Sequence, residues 1–177
     1  MKLSLKYYCF LLLLLSCKSS ISNLSKSIEN KILLEYGSKG KSIFKFREKN
    51  VLLREKLLKM HLKEIEFSKN DFYYIIEYCD IDWGGTYFSH VSIDDKIYQY
   101  KKDNYFISLE KKNIEYSQDI KTICKELNNG NNHVLIDNSK NFEKMNNCYQ
   151  SWYIFKINKK NDIIEELKLD CVDFQKY

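Results

Sequence analysis

The feature that most constrains this chain is a change of hydrophobic period at Asp71. Before it, apolar residues recur at helical spacing. Leu53, Leu57, Leu58, Leu62 and Ile65 make one stripe, and Asn50 is placed to cap the helix that carries it. After it, β-branched and aromatic residues dominate four runs, Phe72–Cys79, Thr86–Ile93, Lys96–Lys101 and Tyr105–Leu109, which read as strands. Asp82-Trp83-Gly84-Gly85 breaks the first run from the second, and Asp94-Asp95 offers a two-residue hairpin turn. That turn sets Ile93 opposite Lys96, Val91 opposite Tyr98 and His90 opposite Gln99. Because side chains alternate along a strand, Tyr87, Val91, Ile93, Tyr98 and Tyr100 share the face expected to be core. Phe88, His90, Ile97 and Gln99 share a more mixed face.

Further elements flank this region. Leu24, Ile28, Ile32 and Tyr36 recur at four-residue spacing, a short helix that Gly37 and Gly40 would end. Ser117 is an N-cap for a helix with Ile120, Ile123, Cys124 and Leu127 on one side, and Gly130 is its stop. His133–Asp137 reads as a short strand, Phe142 and Met145 as a helical turn, and Ser151–Ile157 with Ile163–Val172 as a closing hairpin. Strands joined by short turns pair antiparallel. The expected class is α+β, an antiparallel sheet of about five to seven strands with two or three helices packed on one face.

The first residues have a different character. Met1–Lys6 carries two lysines, Tyr7–Leu15 is unbroken apolar sequence, and Ser16 is small, the three regions of a secretory signal peptide in order. A spanning helix needs about twenty apolar residues, and here Lys18 follows almost at once. Leu14-Leu15-Ser16-Cys17 resembles the lipobox of bacterial lipoproteins. The resemblance is confined to this leader. It implies that residues 1–16 are removed, that the Cys17 thiol accepts a diacylglycerol, and that the new amine is acylated. Two or more chains anchor stably where one binds only marginally. The implied location is the cell envelope, on the inner or outer membrane, with the domain facing the periplasm or the exterior. Residues 18–27, rich in Ser, Lys and Asn, suit a flexible tether after the lipidated cysteine, and a single domain is expected over 28–177.

Charge excludes little but points away from nucleic acid. The 29 basic and 24 acidic residues interleave, as in Arg54-Glu55-Lys56, whereas nucleic-acid binding gathers basic residues on one face. No nucleic-acid partner is expected. With five glycines and no Gly-x-Gly-x-x-Gly or P-loop pattern, nucleotide chemistry is disfavoured. Asp80-Ile81-Asp82-Trp83-Gly84 begins like a calcium loop but lacks its later oxygen ligands and closing glutamate. Cys79, Cys124, Cys148 and Cys171 have no zinc-site spacing, and outside the cytoplasm they permit disulfides in three connectivities. Neither metal nor cofactor is expected.

Three histidines limit acid–base chemistry. His61 lies in an amphipathic helix and His133 follows a Gly-Asn-Asn loop. His90 stands beside Ser89, but strand neighbours point to opposite faces, and a Cys79–His90 pair would have to form across strands. The expected function is therefore a non-catalytic, membrane-anchored module that binds a protein partner. A toxin-neutralising immunity lipoprotein is one version of it. The rivals are a small hydrolase using Cys79 or Ser89 with His90, and a structural envelope protein.

Overall fold

The change of period at Asp71 is where the sheet begins. The computed structural model describes residues 20–34, 41–80, 87–94, 96–102, 107–108, 118–143 and 150–170, and these form an α+β fold. The chain divides into two compact units, one of Met1–Lys63 with Lys160–Asp162, the other of Glu64–Lys159 with Ile163–Tyr177. Residues 1–19 with Cys17, and Gly84, Gly85, Ser117, Cys148 and Cys171, lie outside the described residues.

In the first unit, helix α1 spans residues 20–34 and buries Ile21, Leu24, Ile28 and Ile32. The helix thus starts inside the stretch expected to be a tether. Ile21 extends the apolar stripe one turn toward the N-terminus, which offsets the polar composition around it. Helix α2, Lys41–Met60, buries Leu53, Leu57 and Leu58. It begins well before Asn50, since Lys41–Lys49 contains neither glycine nor proline to stop it. Asn50 caps nothing, and its Oδ1 is buried without a hydrogen-bond partner. The two helices are joined by Ser25 Oγ, which donates to the Val51 carbonyl at 2.8 Å, and by Arg54. Fully buried, Arg54 donates to Glu29 Oε2 at 3.0 Å and to the Ser25 carbonyl at 2.7 Å. A short helix α3, Leu62–Glu66, follows. No helix among the described residues is long and apolar enough to cross a membrane.

The second unit is built on strands β1 Phe72–Asp80, β2 Tyr87–Ile93, β3 Lys96–Lys102, β4 Ile107–Ser108, β5 Gln150–Asn158 and β6 Ile163–Asp170. They lie in the order β4-β3-β2-β1-β5-β6, all pairs antiparallel. The β2–β3 register has Ile93 opposite Lys96, Val91 opposite Tyr98 and His90 opposite Gln99, as the Asp94-Asp95 turn requires. Asp94 has φ 52°, a left-handed conformation that Asp tolerates better than most residues. Its carboxylate accepts the backbone N–H groups of Lys69 and Asn70 at 3.1–3.2 Å, so the turn also fastens the chain that enters β1.

Helices α4, Gln118–Asn128, and α5, Asn132–Glu143, complete the unit. Gly130, at φ 72°, ends α4. Its N–H donates to the Leu127 carbonyl, and the Asn131 N–H reaches back to the Glu126 carbonyl at 2.9 Å, the paired bonds of a Schellman cap. Residues 133–137, expected as a strand, are instead the second to sixth residues of α5. Val134-Leu135-Ile136 is too short to reveal a period. What decides the matter is that Leu135 and Ser139, one helical turn apart, are both buried.

Ile120, Ile123, Cys124 and Leu127 of α4 and Leu135 of α5 pack on Tyr74, Ile76, Trp152, Ile154 and Leu169 of the sheet. This is the more mixed face, which carries His90 and half-buried Ile97. The apolar residues supplied by β1 and β5 outweigh the mixed ones of β2 and β3. The face expected to be core is buried too, at Tyr73, Ile75, Val91, Ile93, Phe155 and Ile157. Five helices are described in all, more than the two or three expected, because α1–α3 add to the pair that packs on the sheet.

Candidate functional site

The residues singled out from sequence meet at the centre of the sheet without converging. Ser89 and His90 are neighbours on β2, and alternation sends them to opposite faces. His90 is opposite Ile76 on one side and Gln99 on the other, with its ring 6.2 Å from that of Trp152. It is 3% exposed, and its Nδ1 has no hydrogen-bond partner. Burial in this apolar layer pushes the imidazole down to about 4, and a hydrogen bond to the Ile76 backbone offsets only part of that. At neutral pH it is uncharged and a weak base.

Ser89 is engaged elsewhere. Its Oγ donates to Glu77 Oε1 at 3.3 Å, and both residues are buried on the face away from His90. The register explains the pair, since Glu77 sits directly opposite Ser89 on one side and Tyr153 on the other. Glu77 was not a candidate from sequence. The available signal was a carboxylate at the third position of the series Tyr73, Ile75, Glu77, where alternation puts it among apolar residues. Cys79 stands opposite Tyr87 and Ser151 in the register, at the strand parity of Ser89 rather than that of His90. The backbone therefore separates Cys79 from His90 as it separates Ser89.

A groove of about 350 Å³ runs along α4 beside the β2–β3 hairpin, lined by Ser92, Ile97, Lys121, Cys124, Lys125 and Asn128. Cys124 is free and buried, and burial pushes its thiol up to about 11 although the Ser92 hydroxyl bonds to it. A thiol in that state carries almost no thiolate at neutral pH and is a poor nucleophile. Asn128 Nδ2 donates to the Asp94 carbonyl at 3.3 Å and ties the end of α4 to the hairpin turn. Lys121 and Lys125 lie one helical turn apart and are exposed, so the groove has a cationic rim over Ser92, Ile97 and Cys124. The arrangement offers recognition by charge and shape, and no ionised nucleophile beside a base. No family model, no curated protein and no solved structure matches the chain.

Proposed function

We propose that this chain is a lipid-anchored protein of the cell envelope that works by binding a protein partner rather than by converting a substrate. The anchorage rests on the leader, with Lys2 and Lys6, the apolar run Tyr7–Leu15, and Leu14-Leu15-Ser16 before Cys17. The observation that carries the binding reading is the separation of Ser89 from His90. The hydroxyl is held by Glu77 on one face, and the imidazole is sealed against Trp152 on the other. A hydrolase built on that pair would need the two groups within hydrogen-bond reach of each other.

The test has two parts. Metabolic labelling with an alkyne fatty acid should tag the wild type and leave Cys17→Ser unlabelled and released from membranes, and labelling that persists in the variant refutes the anchor. Cross-linking in the native envelope should then capture a reproducible protein neighbour. Turnover of generic ester, amide or glycan substrates by the purified protein, lost in His90→Ala, would reject binding and promote a hydrolase.

A further inference from the structure

Helix α1 begins at Ser20, and its first turn is packed, with Ile21 only 1% exposed. The Ser20 side chain is held from far along the chain. Its hydroxyl donates to the Lys160 carbonyl at 3.2 Å and accepts from Asn161 Nδ2 at 3.1 Å. Lys160 and Asn161 lie in the turn between β5 and β6, and Lys160–Asp162 belong to the same compact unit as α1. Asn161 has φ 67°, a left-handed conformation that asparagine adopts more readily than most residues. It therefore serves this turn by its backbone and fastens it to α1 by its amide.

Only Lys18 and Ser19 stand between Cys17 and Ser20. Three Cα-to-Cα steps span at most about 10–11 Å even when fully extended. On the proposed lipidation of Cys17, on which this rests, we infer that the β5–β6 turn at Lys160–Asp162 is a membrane-contact surface, held against the lipid headgroups by this short reach. Lipid on Cys17 keeps that residue at the headgroup layer, which is about 5–7 Å thick on each side of a bilayer. Ser20 follows within about 11 Å, and the turn is bonded to Ser20.

A coil over residues 18–27 would act differently, since ten such residues have a root-mean-square reach of about 16–19 Å and leave the orientation of the domain open. Because α1 takes up residues 20–27, that freedom is gone. The chemistry of the turn suits headgroups. Lys160 is exposed, and the distance to the anchor is close to the Debye length of about 8 Å at physiological salt, so its ammonium group lies within the field of anionic lipid phosphates. Asp162 is exposed too and offsets part of that attraction, so the covalent reach does most of the holding.

The test places the photo-crosslinker p-benzoylphenylalanine at position 160 of the full chain, in vesicles of phosphatidylethanolamine and phosphatidylglycerol. The Ser20 bond is to the Lys160 carbonyl, so it survives this replacement. Fatty-acid labelling reports the anchor separately, and circular dichroism confirms folding. Irradiation should join lipid to the peptide that carries position 160. Twelve Gly and Ser residues inserted between Lys18 and Ser19 add about 17–21 Å of reach, and should cut the lipid adduct several-fold while leaving fatty-acid labelling intact. A chain that is labelled by fatty acid yet gives no adduct at position 160 overturns the inference and leaves the anchor standing. An adduct indifferent to the insertion overturns it as well, because the short reach would not be what holds the turn. Absence of fatty-acid labelling removes both the anchor and this contact.

Discussion

Arg54 offers the sharpest test of how α1 and α2 are held together. Its side chain is fully buried and that of Glu29 is 4% exposed, so the pair at 3.0 Å lies out of water. Replacing Arg54 with Met leaves the Glu29 carboxylate without its counter-ion and the Ser25 carbonyl without the donor at 2.7 Å. Breaking a buried pair from one side costs about 3–5 kcal/mol, most of it the price of an uncompensated charge in a poorly solvating interior. The lost bond to Ser25 falls within that range rather than adding to it, because a methionine of similar length refills the volume. Removing the carboxylate as well should recover most of the loss, since well-packed apolar replacements of buried ion pairs are often neutral. Urea unfolding followed by far-ultraviolet circular dichroism gives the free energies of Arg54→Met, Glu29→Met and the double variant. The expected pattern is two severe single changes and a double variant within about 2 kcal/mol of wild type. A loss below about 1 kcal/mol for Arg54→Met, or a double variant no better than the single ones, refutes the assignment of this pair as the joint between the helices.

Three further outcomes follow from the sheet unit. His90 is held neutral in the fold, with its folded value near 4 below its ordinary 6.5. Its contribution is therefore complete above about pH 6.5 and lost as pH falls toward 4, a total of about 3 kcal/mol at about 1.4 kcal/mol per unit. Between about pH 7 and about pH 4 the urea midpoint of wild type should fall relative to that of His90→Phe, because only the wild type has an imidazole to charge, and parallel profiles would show that His90 is not sealed in the core. Leu127→Ala should lose about 2–5 kcal/mol in the same assay, because Leu127 is buried among Tyr74, Ile76 and Leu135, and a loss under about 0.5 kcal/mol means that α4 does not pack by this side. Asp94→Gly keeps the left-handed backbone of the turn but removes the acceptor for Lys69 and Asn70, and should cost about 1–2 kcal/mol, whereas a neutral result would show that the carboxylate clamp contributes nothing.

Much of the sheet was legible because its determinants are local. The Asp94-Asp95 turn and the alternation around it specify the β2–β3 register, since in a two-residue hairpin the turn and the pairing are one constraint. Gly130 marks the end of α4 because only a residue at ease with positive φ closes both capping bonds. The proposed leader rests on the same kind of local signal, a charged start, an apolar run and the Leu14–Cys17 pattern. Short or weakly patterned stretches were not legible. Residues 133–137 hold too few apolar positions to distinguish a period of two from one of 3.6, and the polar residues after Cys17 hid a stripe that begins at Ile21.

What the tertiary structure alone decided is where polar groups meet and that the mixed face of the sheet is covered too. Glu77 finds Ser89 from 12 residues away and Arg54 finds Glu29 from 25. In sequence, each is one charged residue among many that face water. That the mixed face of β2 and β3 is covered as well as the apolar one is likewise set by Ile76, Ile154 and Leu169 on other strands. Period and turn chemistry act between near neighbours, so they are written in the order of residues. Burial depends on what folds over a residue from elsewhere, and no local pattern contains it.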